Sequence, residues 1–216
     1  MNIIIFGPPG AGKGTQSDKL SKDLNLYKIS TGDLLREEVK KKSELGVKIK
    51  SILGQGALVS DDIINALIEN ILSNKDFYNR LIFDGYPRNF NQAKHFDILT
   101  KKYDQKIACV LSLKVDQDVI IKRIKGRQVC SKCGLAFHEL FNPSTKEQHY
   151  CDTRFLEKRS DDNEKTARKR FETYTKVTLP ALDYYKNQKL LYEIDGTNDI
   201  HEIYKEIRQI IHSLET

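Results

Sequence analysis

Short runs of apolar residues alternate with segments of mixed polarity along most of the chain. The apolar runs have the pattern of strands buried on both faces, and they lie at 3–6, 81–83, 107–113 and 190–194. In the mixed segments apolar residues recur at helical spacing, which predicts helices at 13–24, 33–53 (two helices), 60–72, 89–100, 115–125, 163–187 (interrupted at Pro180) and 199–213. Strands that alternate with helices favour right-handed β-α-β units and a parallel sheet covered on both faces. We therefore expect an α/β protein.

Two stretches interrupt this alternation, at 30–59 and at 126–162. Neither has the composition of a flexible linker, and the second is rich in turn residues and holds three of the four cysteines. We interpret both as small subdomains inserted into one core, which then consists of residues 1–29, 60–125 and 163–216.

Composition narrows the class of protein. The 216 residues are 39% hydrophobic and 31% charged, which suits a folded domain and argues against global disorder. No apolar stretch approaches the roughly 18–20 residues of a membrane span, and the apolar run at the N-terminus is too short for a signal peptide. We expect a cytoplasmic protein whose cysteines are reduced thiols or metal ligands.

The distribution of Lys and Arg along the chain is more informative than the net charge. The 36 Lys and Arg against 30 Asp and Glu leave a formal charge of +6, which indicates an anionic partner without choosing among nucleic acid, membrane and phosphorylated small molecules. Only ten of the 36 are Arg, and seven of these lie between 88 and 170. Because Arg is a planar two-pronged donor to phosphate, this clustering favours a phosphate site.

The segment 7–15 reads Gly-Pro-Pro-Gly-Ala-Gly-Lys-Gly-Thr, between a predicted strand and a predicted helix. Gly7, Gly12 and Lys13 fit G-x-x-x-x-G-K, the phosphate loop whose backbone N–H groups cradle phosphates. The hydroxyl that usually follows the lysine comes one residue later, at Thr15. An ordinary glycine-rich turn is the alternative, which the lysine, the spacing and the context together disfavour. The guanine motif N-K-x-D of GTPases is absent, since 74–76 is one residue too short.

A second candidate phosphate site is Asp84-Gly85-Tyr86-Pro87-Arg88-Asn89, directly after the strand at 81–83. At the carboxyl end of a parallel sheet it faces the same crevice as the phosphate loop. Asp84 can hold magnesium through water, and Arg88 can bind a phosphate with two hydrogen bonds.

With STGDLLR at 30–36 and RSDDNE at 159–164, these motifs form a set of four in sequence order. On this set the chain resembles the adenylate kinases, a family of nucleoside monophosphate kinases, in their long bacterial form. The resemblance covers essentially all 216 residues. It implies a P-loop three-layer α/β/α fold with a parallel five-stranded sheet and two mobile inserts, namely an AMP-binding subdomain (30–59) and a lid over ATP (126–162).

The resemblance also implies roles for individual residues. The AMP site would comprise Thr31, Arg36, Ala57, Leu58, Val59, Gly85, Tyr86, Pro87, Arg88, Gln92, Arg159 and Arg170, with Gln92 on the adenine edge. The ATP site would comprise Gly10, Ala11, Gly12, Lys13, Gly14, Thr15, Arg123, Arg127, Ala136, Phe137 and Asn198. The catalytic residues would be Lys13, Asp84, Arg88, Arg123, Arg159 and Arg170.

The implied reaction is the reversible in-line transfer of a phosphoryl group from MgATP to AMP, which yields two ADP and balances the adenine nucleotides. Such a transfer needs a ring of fixed cations rather than a base, in agreement with the clustered Arg. The partners would be ATP, AMP and ADP with Mg²⁺, bound by a monomer that engages neither nucleic acid nor a membrane. We expect surface roles for Arg80, Arg154, Arg168 and Arg208.

The cysteines of the lid suggest a metal site. Cys130 and Cys133 form a C-x-x-C-G knuckle, and Cys151 follows at a spacing that suits a small structural zinc site. The family commonly supplies a fourth ligand three residues after the third, where this chain has Arg154. Asp152, His149 or His138 is the replacement, or the three thiols are free. Cys109, inside an apolar run, reads as a core thiol.

Two rival functions stay open. A UMP/CMP-type kinase would use the same frame, although Thr31 and Gln92 favour AMP and the long lid favours an adenylate kinase. A zinc-ribbon protein that binds nucleic acid would explain the charge and the knuckle, but it leaves the phosphate loop and DGYPR unexplained.

Overall fold

The computed structural model describes residues 1–147 and 149–215. The strands are β1 (Asn2–Phe6), β2 (Tyr27–Ser30), β3 (Leu81–Asp84), β4 (Ile107–Lys114), β5 (Arg127–Cys130), β6 (Ala136–His138), β7 (Leu156–Glu157) and β8 (Leu191–Asp195). The α-helices are α1 (Lys13–Asp23), α2 (Thr31–Lys40), α3 (Glu44–Gly54), α4 (Asp61–Ser73), α5 (Phe90–Lys102), α6 (Gln117–Lys125), α7 (Glu164–Thr173), α8 (Leu182–Asn187) and α9 (Ile200–Glu215).

Five strands form the main sheet, in the order β2-β3-β1-β4-β8, and every neighbouring pair is parallel. This confirms the predicted α/β fold class with a five-stranded parallel sheet. The apolar runs do not predict β2, because it is an edge strand that mixes an exposed Tyr27 with polar residues. The other four strands lie within one or two residues of their predicted positions.

The core consists of two apolar layers, one on each face of the sheet. Successive residues of β1 point to opposite faces, so that Ile3 and Ile5 join one layer and Ile4 and Phe6 the other. The first layer includes residues of α1, α6 and α9, and the second residues of α4 and α5. Each fully buried side chain of this kind contributes about 1.5–3 kcal/mol, which fixes the strand ends on which the site depends.

Side-chain caps set where several helices begin. Ser30 accepts a hydrogen bond from Asp33 N at the start of α2, and Asn89 accepts one from Gln92 N at the start of α5. Asn163 does the same for α7 through Thr166 N. All three helices therefore begin at defined positions beside the carboxyl edge of the sheet.

The two inserted stretches fold differently from the core. Residues 31–54 form α2 and α3, the two helices predicted there. Within 126–162, β5, β6 and β7 form a separate antiparallel sheet in the order β6-β5-β7. Near Pro180, a π turn at Tyr174–Thr178 and a 3₁₀ turn at Leu179–Ala181 separate α7 from α8, which is the predicted interruption. Within the described residues, no helix combines the length and apolarity needed to cross a membrane.

Candidate active site

The carboxyl ends of the five parallel strands meet at one edge of the sheet, and a cavity lies between this edge and the two inserts. Most of the predicted site residues line it. They are Gly10, Ala11, Gly12, Lys13, Gly14, Thr15, Arg36, Ala57, Leu58, Asp84, Gly85, Pro87, Arg88, Arg123, Arg127, Ala136, Phe137, Arg159, Arg170 and Asn198. Residues far apart in sequence thus converge on one volume.

Four predicted residues, Thr31, Val59, Tyr86 and Gln92, are buried beside the cavity rather than on its lining. Thr31 Oγ1 donates to Gly85 O at 2.8 Å. Gln92 Oε1 accepts from Arg88 N at 2.7 Å, and Gln92 Nε2 donates to Asp61 Oδ1 at 2.7 Å. In this structure Thr31 and Gln92 therefore hold the Gly85–Arg88 backbone.

The phosphate loop turns directly into α1 at Gly12. Gly12 has a φ of 95° as the residue before the helix, a left-handed conformation that side chains with a Cβ rarely adopt. The first turn of this helix lines the cavity, and the unpaired N–H groups of a helix N-terminus favour an anion there. Lys13 Nζ donates to Gly7 O at 2.8 Å and to Pro8 O at 3.0 Å, which folds the side chain back over the loop.

The electrostatics of the cavity favour a highly charged anion. Burial lowers the pKa of Lys13 to about 8; Asp84 opposes this effect and the neighbouring arginines add to it. Burial, together with nearby guanidinium groups, also lowers the pKa of Arg88 and of Arg159 to about 10. Phosphate oxygens placed between cations crowded together in this way lower the electrostatic free energy of the site.

Because Gly85 has no Cβ, the side chain of Arg88 can approach the backbone of Gly85. It has a φ of +81°, and a Cβ there would lie 3.0 Å from Arg88 Nη2 and 3.3 Å from Thr31 Oγ1. Arg88 Nε donates to Gly85 O at 2.7 Å. This contact fixes the direction of the guanidinium group.

Carboxylates hold several of the arginines, and the motif analysis did not single them out. Asp33 accepts from Arg36 at 2.5 Å and lies 3.5 Å from Arg159. Arg127 forms a double hydrogen bond with Asp162. Arg170 forms an ion pair with Asp161. The two aspartates of RSDDNE could have indicated these contacts, because carboxylates close to clustered arginines commonly pair with them.

Arg123 connects the phosphate side of the cavity to the loop after β8. Its Nη1 donates to Gly196 O at 2.7 Å, and burial lowers its pKa. From α1, Gln16 Nε2 donates to Ile200 O at 3.0 Å. The loop that carries Asn198 is therefore tied to the core on both sides.

An ion pair that the sequence analysis missed lies beside the phosphate loop. Lys28 Nζ on β2 is 2.8 Å from Asp18 Oδ1 on α1, and both side chains line the cavity. Asp84 lies nearby at the end of β3.

The cysteine knuckle of the lid gathers a fourth candidate ligand. The ligand atoms of Cys130, Cys133, Cys151 and His149 all lie within 4.8 Å of one another. His149 Nδ1 lies 2.8 Å from Ser144 Oγ, and no partner for its buried Nε2 is found among the described residues.

The other candidates for a fourth ligand make different contacts. Asp152 accepts from Arg154 N at 2.9 Å, and His138 Nδ1 accepts from Leu140 N at 3.0 Å. Neither belongs to the group of four. Cys109 is buried in β4, where burial raises the pKa of its thiol to about 12, as expected of a core residue.

Comparison with known proteins points to one family. The family model described as adenylate kinase matches residues 5–190. The adenylate kinase of Pelagibacter ubique is 44% identical over 211 residues, which cover 98% of this chain and 99% of the relative. That of Chloroherpeton thalassium is 44% identical over 216 residues, with 99% of each chain covered. That of Archaeoglobus fulgidus is 39% identical over 218 residues, with both chains fully covered.

Proposed function

The chain belongs to the adenylate kinase family, and we propose that the cavity at the carboxyl edge of its sheet is the active site. The enzyme transfers a phosphoryl group reversibly from ATP to AMP and yields two ADP. The observation that carries the site assignment is the convergence of Lys13 and six arginines on one cavity, above a helix N-terminus. A UMP/CMP-type activity is not favoured.

We assign the donor nucleotide to the side of the phosphate loop. The backbone N–H groups of residues 10–15 and Lys13 would surround the β- and γ-phosphates. Arg123 and Arg127 would add charge from the core and the lid. The base would lie between Phe137 and the loop that carries Asn198, both of which line the cavity.

We assign the acceptor nucleotide to the opposite side, between α2 and the segment that follows β3. Arg36 and Arg88 would hold the phosphate of AMP, and Ala57 and Leu58 would lie along its adenine. Gln92 would read the adenine edge, for which its amide must leave Arg88 N and Asp61. Arg159 and Arg170, which also line the cavity, would bridge the two nucleotides.

The chemistry proposed for these residues is electrostatic. The phosphate of AMP is nucleophilic at neutral pH, so the transfer requires no general base. Charge spreads over the equatorial oxygens of the transferring group, and Lys13 with the arginines would stabilise it in a site from which water is excluded. Magnesium, when bound with ATP, neutralises phosphate charge. The carboxylate of Asp84, an oxygen ligand beside the phosphate loop, suits a hydrated magnesium ion.

The carboxylates Asp33, Asp161 and Asp162 hold the arginines at the cavity. When phosphates bind, these guanidinium groups would turn from carboxylate to phosphate oxygens at little net cost, because one charged partner replaces another. Closure of the inserts at 30–59 and 126–162 would then exclude water and protect ATP from hydrolysis.

The activity makes a direct prediction about the acceptor. ATP with AMP should give ADP at a high rate, whereas ATP alone should be hydrolysed at less than about 1% of that rate, because closure requires both nucleotides. The measurement follows ADP formation in a coupled assay with AMP, UMP, CMP and GMP as acceptors. Comparable ATP hydrolysis without an acceptor would contradict the mechanism, and equal rates with CMP or UMP would contradict the acceptor assignment.

We further propose that the lid holds one structural zinc ion on Cys130, Cys133, Cys151 and His149. Three thiolates and one imidazole make a closed tetrahedral site that stabilises a small fold. The support is twofold: the ligand atoms of His149 and the three cysteines lie within 4.8 Å of one another, and the buried Nε2 of His149 has no hydrogen-bond partner in the described part of the chain. The Ser144 hydroxyl on Nδ1 is the outer contact that orients a histidine ligand.

Metal analysis tests this site. Protein purified without chelators should contain about one zinc per chain, and His149→Ala should weaken zinc binding by roughly 100-fold and lower the melting temperature of the lid. His201→Ala is the matched control, because His201 lies exposed beside Lys19 on the surface. Less than roughly 0.2 zinc per chain in the unmodified protein would exclude the site.

We also propose that the protein works as a monomer in the cytoplasm, on free nucleotides rather than on nucleic acid or a membrane. Six of its ten arginines line one cavity. No disulfide joins its four cysteines, all of which lie within the described residues, as expected in a reducing compartment.

A further inference from the structure

The ion pair between Lys28 and Asp18 lies beside the phosphate loop and lines the cavity. Asp18 lies one turn after Gly14 on α1, and Lys28 reaches it from the edge strand β2 at 2.8 Å. The two side chains are 28% and 20% exposed. The pair is therefore mostly shielded from water, and its charges act over a longer range than those of a surface pair.

Asp84 shares this space. Its Oδ2 lies 3.6 Å, and Lys28 Nζ lies 3.7 Å, from the point that a Cβ on Gly14 would occupy. No ion pair engages Asp84 anywhere in residues 1–147 and 149–215. A lysine with four rotatable side-chain bonds has the reach to leave Asp18 and contact Asp84 instead.

The charges around the pair are mixed. Asp33 on α2 and Asp84 on β3 face Asp18, and Lys13 faces Asp84 from the phosphate loop. Burial raises the pKa of the Asp18 carboxyl; Lys28 opposes this effect, and the two other carboxylates add to it. Asp33 is already paired with Arg36 and Arg159, so Asp18 and Asp84 are the two carboxylates beside the partly buried Lys28 ammonium group. The one that binds Lys28 decides which carboxylate is left for another cation.

We propose that Asp18 is a positioning residue that holds Lys28 away from Asp84, and so keeps the Asp84 carboxylate available to the magnesium ion bound with ATP. This inference rests on the proposed function of Asp84. When Asp18 loses its charge, Lys28 pairs with Asp84. That pairing places an ammonium group where the metal binds and adds one positive charge beside the phosphates. MgATP is then disfavoured, whereas metal-free ATP is not.

Calorimetric titration of ATP at saturating Mg²⁺ and in EDTA tests this directly. In Asp18→Asn the Kd of MgATP should rise about tenfold, which corresponds to about 1.4 kcal/mol, while the Kd of metal-free ATP stays equal or falls. In Asp18→Asn/Lys28→Met both values should return to within about twofold of the unmodified protein, since the displaced cation is gone. Glu69→Gln is the control, because it frees Lys102 from a similar 2.7 Å pair far from the cavity.

Each other outcome overturns the inference. An equal loss of affinity for MgATP and metal-free ATP in Asp18→Asn would indicate a structural defect instead. A double variant as weak toward MgATP as Asp18→Asn would mean that Asp18 acts on the metal itself. Unchanged values would mean that the pair has no such role. The ATP plus AMP assay on the unmodified protein separates these results from a failure of the proposed function, which would appear there as absent ADP formation.

Discussion

Replacing Arg88 with lysine is expected to lower kcat about a thousand-fold. Two properties are lost together. The guanidinium group offers a planar pair of donors to the phosphate, which an ammonium group cannot reproduce. A lysine at this position would also be partly neutral. Burial lowers the pKa of Arg88 to about 10, and comparable burial lowers the pKa of Lys13 to about 8. A thousand-fold loss corresponds to about 4 kcal/mol of transition-state stabilisation.

The measurement is kcat and the KM for AMP in the direction of ADP formation, from pH 6.5 to 9. The Arg88→Lys variant should lose further activity as the pH rises, because its lysine deprotonates in this range. Arg80→Lys is the matched control, since Arg80 makes a similar two-pronged contact to Asn25 O on the surface. A kcat within tenfold of the unmodified enzyme would remove Arg88 from the transition state.

The parts of the fold and site that depend on local sequence were predictable. The strands at 81–84 and 107–114 read as apolar runs because both faces are buried, and the phosphate loop reads as a motif because its geometry depends on consecutive residues. Strand β2 was not predictable in this way, since an edge strand with an exposed Tyr27 has no continuous apolar run.

The parts that depend on contacts between distant residues could not be predicted. Asp18 and Lys28 belong to different elements, and nothing in their spacing marks them as a pair. His149 joins Cys130 and Cys133 only through the folding of the lid, so the cysteine spacing alone left the fourth ligand open. Likewise, Gln92 reads as a base-contacting residue, whereas in the structure its amide holds the backbone of Arg88 and the side chain of Asp61.

Replacing Lys13 with methionine is expected to lower kcat about 300-fold and to weaken ATP binding. Methionine keeps the length and apolar stem of the side chain, so the main loss is the charge next to the transferring phosphoryl group. Folding should change little, because a buried ammonium group whose pKa is lowered by desolvation does not stabilise the native state at neutral pH. Lys22→Met is the matched control, since Lys22 is an exposed residue of the same helix.

The pH dependence of ATP binding gives a second readout for Lys13. Phosphate oxygens beside the ammonium group raise its pKa above the value of about 8 in the unliganded protein. Binding therefore takes up a proton above pH 8, and the affinity for ATP should fall by up to about tenfold for each further pH unit. Below pH 8 the group is already protonated, so its contribution is constant. Calorimetry from pH 7.5 to 9.5, in buffers of different ionisation enthalpy, should show this uptake in the unmodified protein and none from this position in Lys13→Met; identical slopes in both proteins would assign the titration to another group.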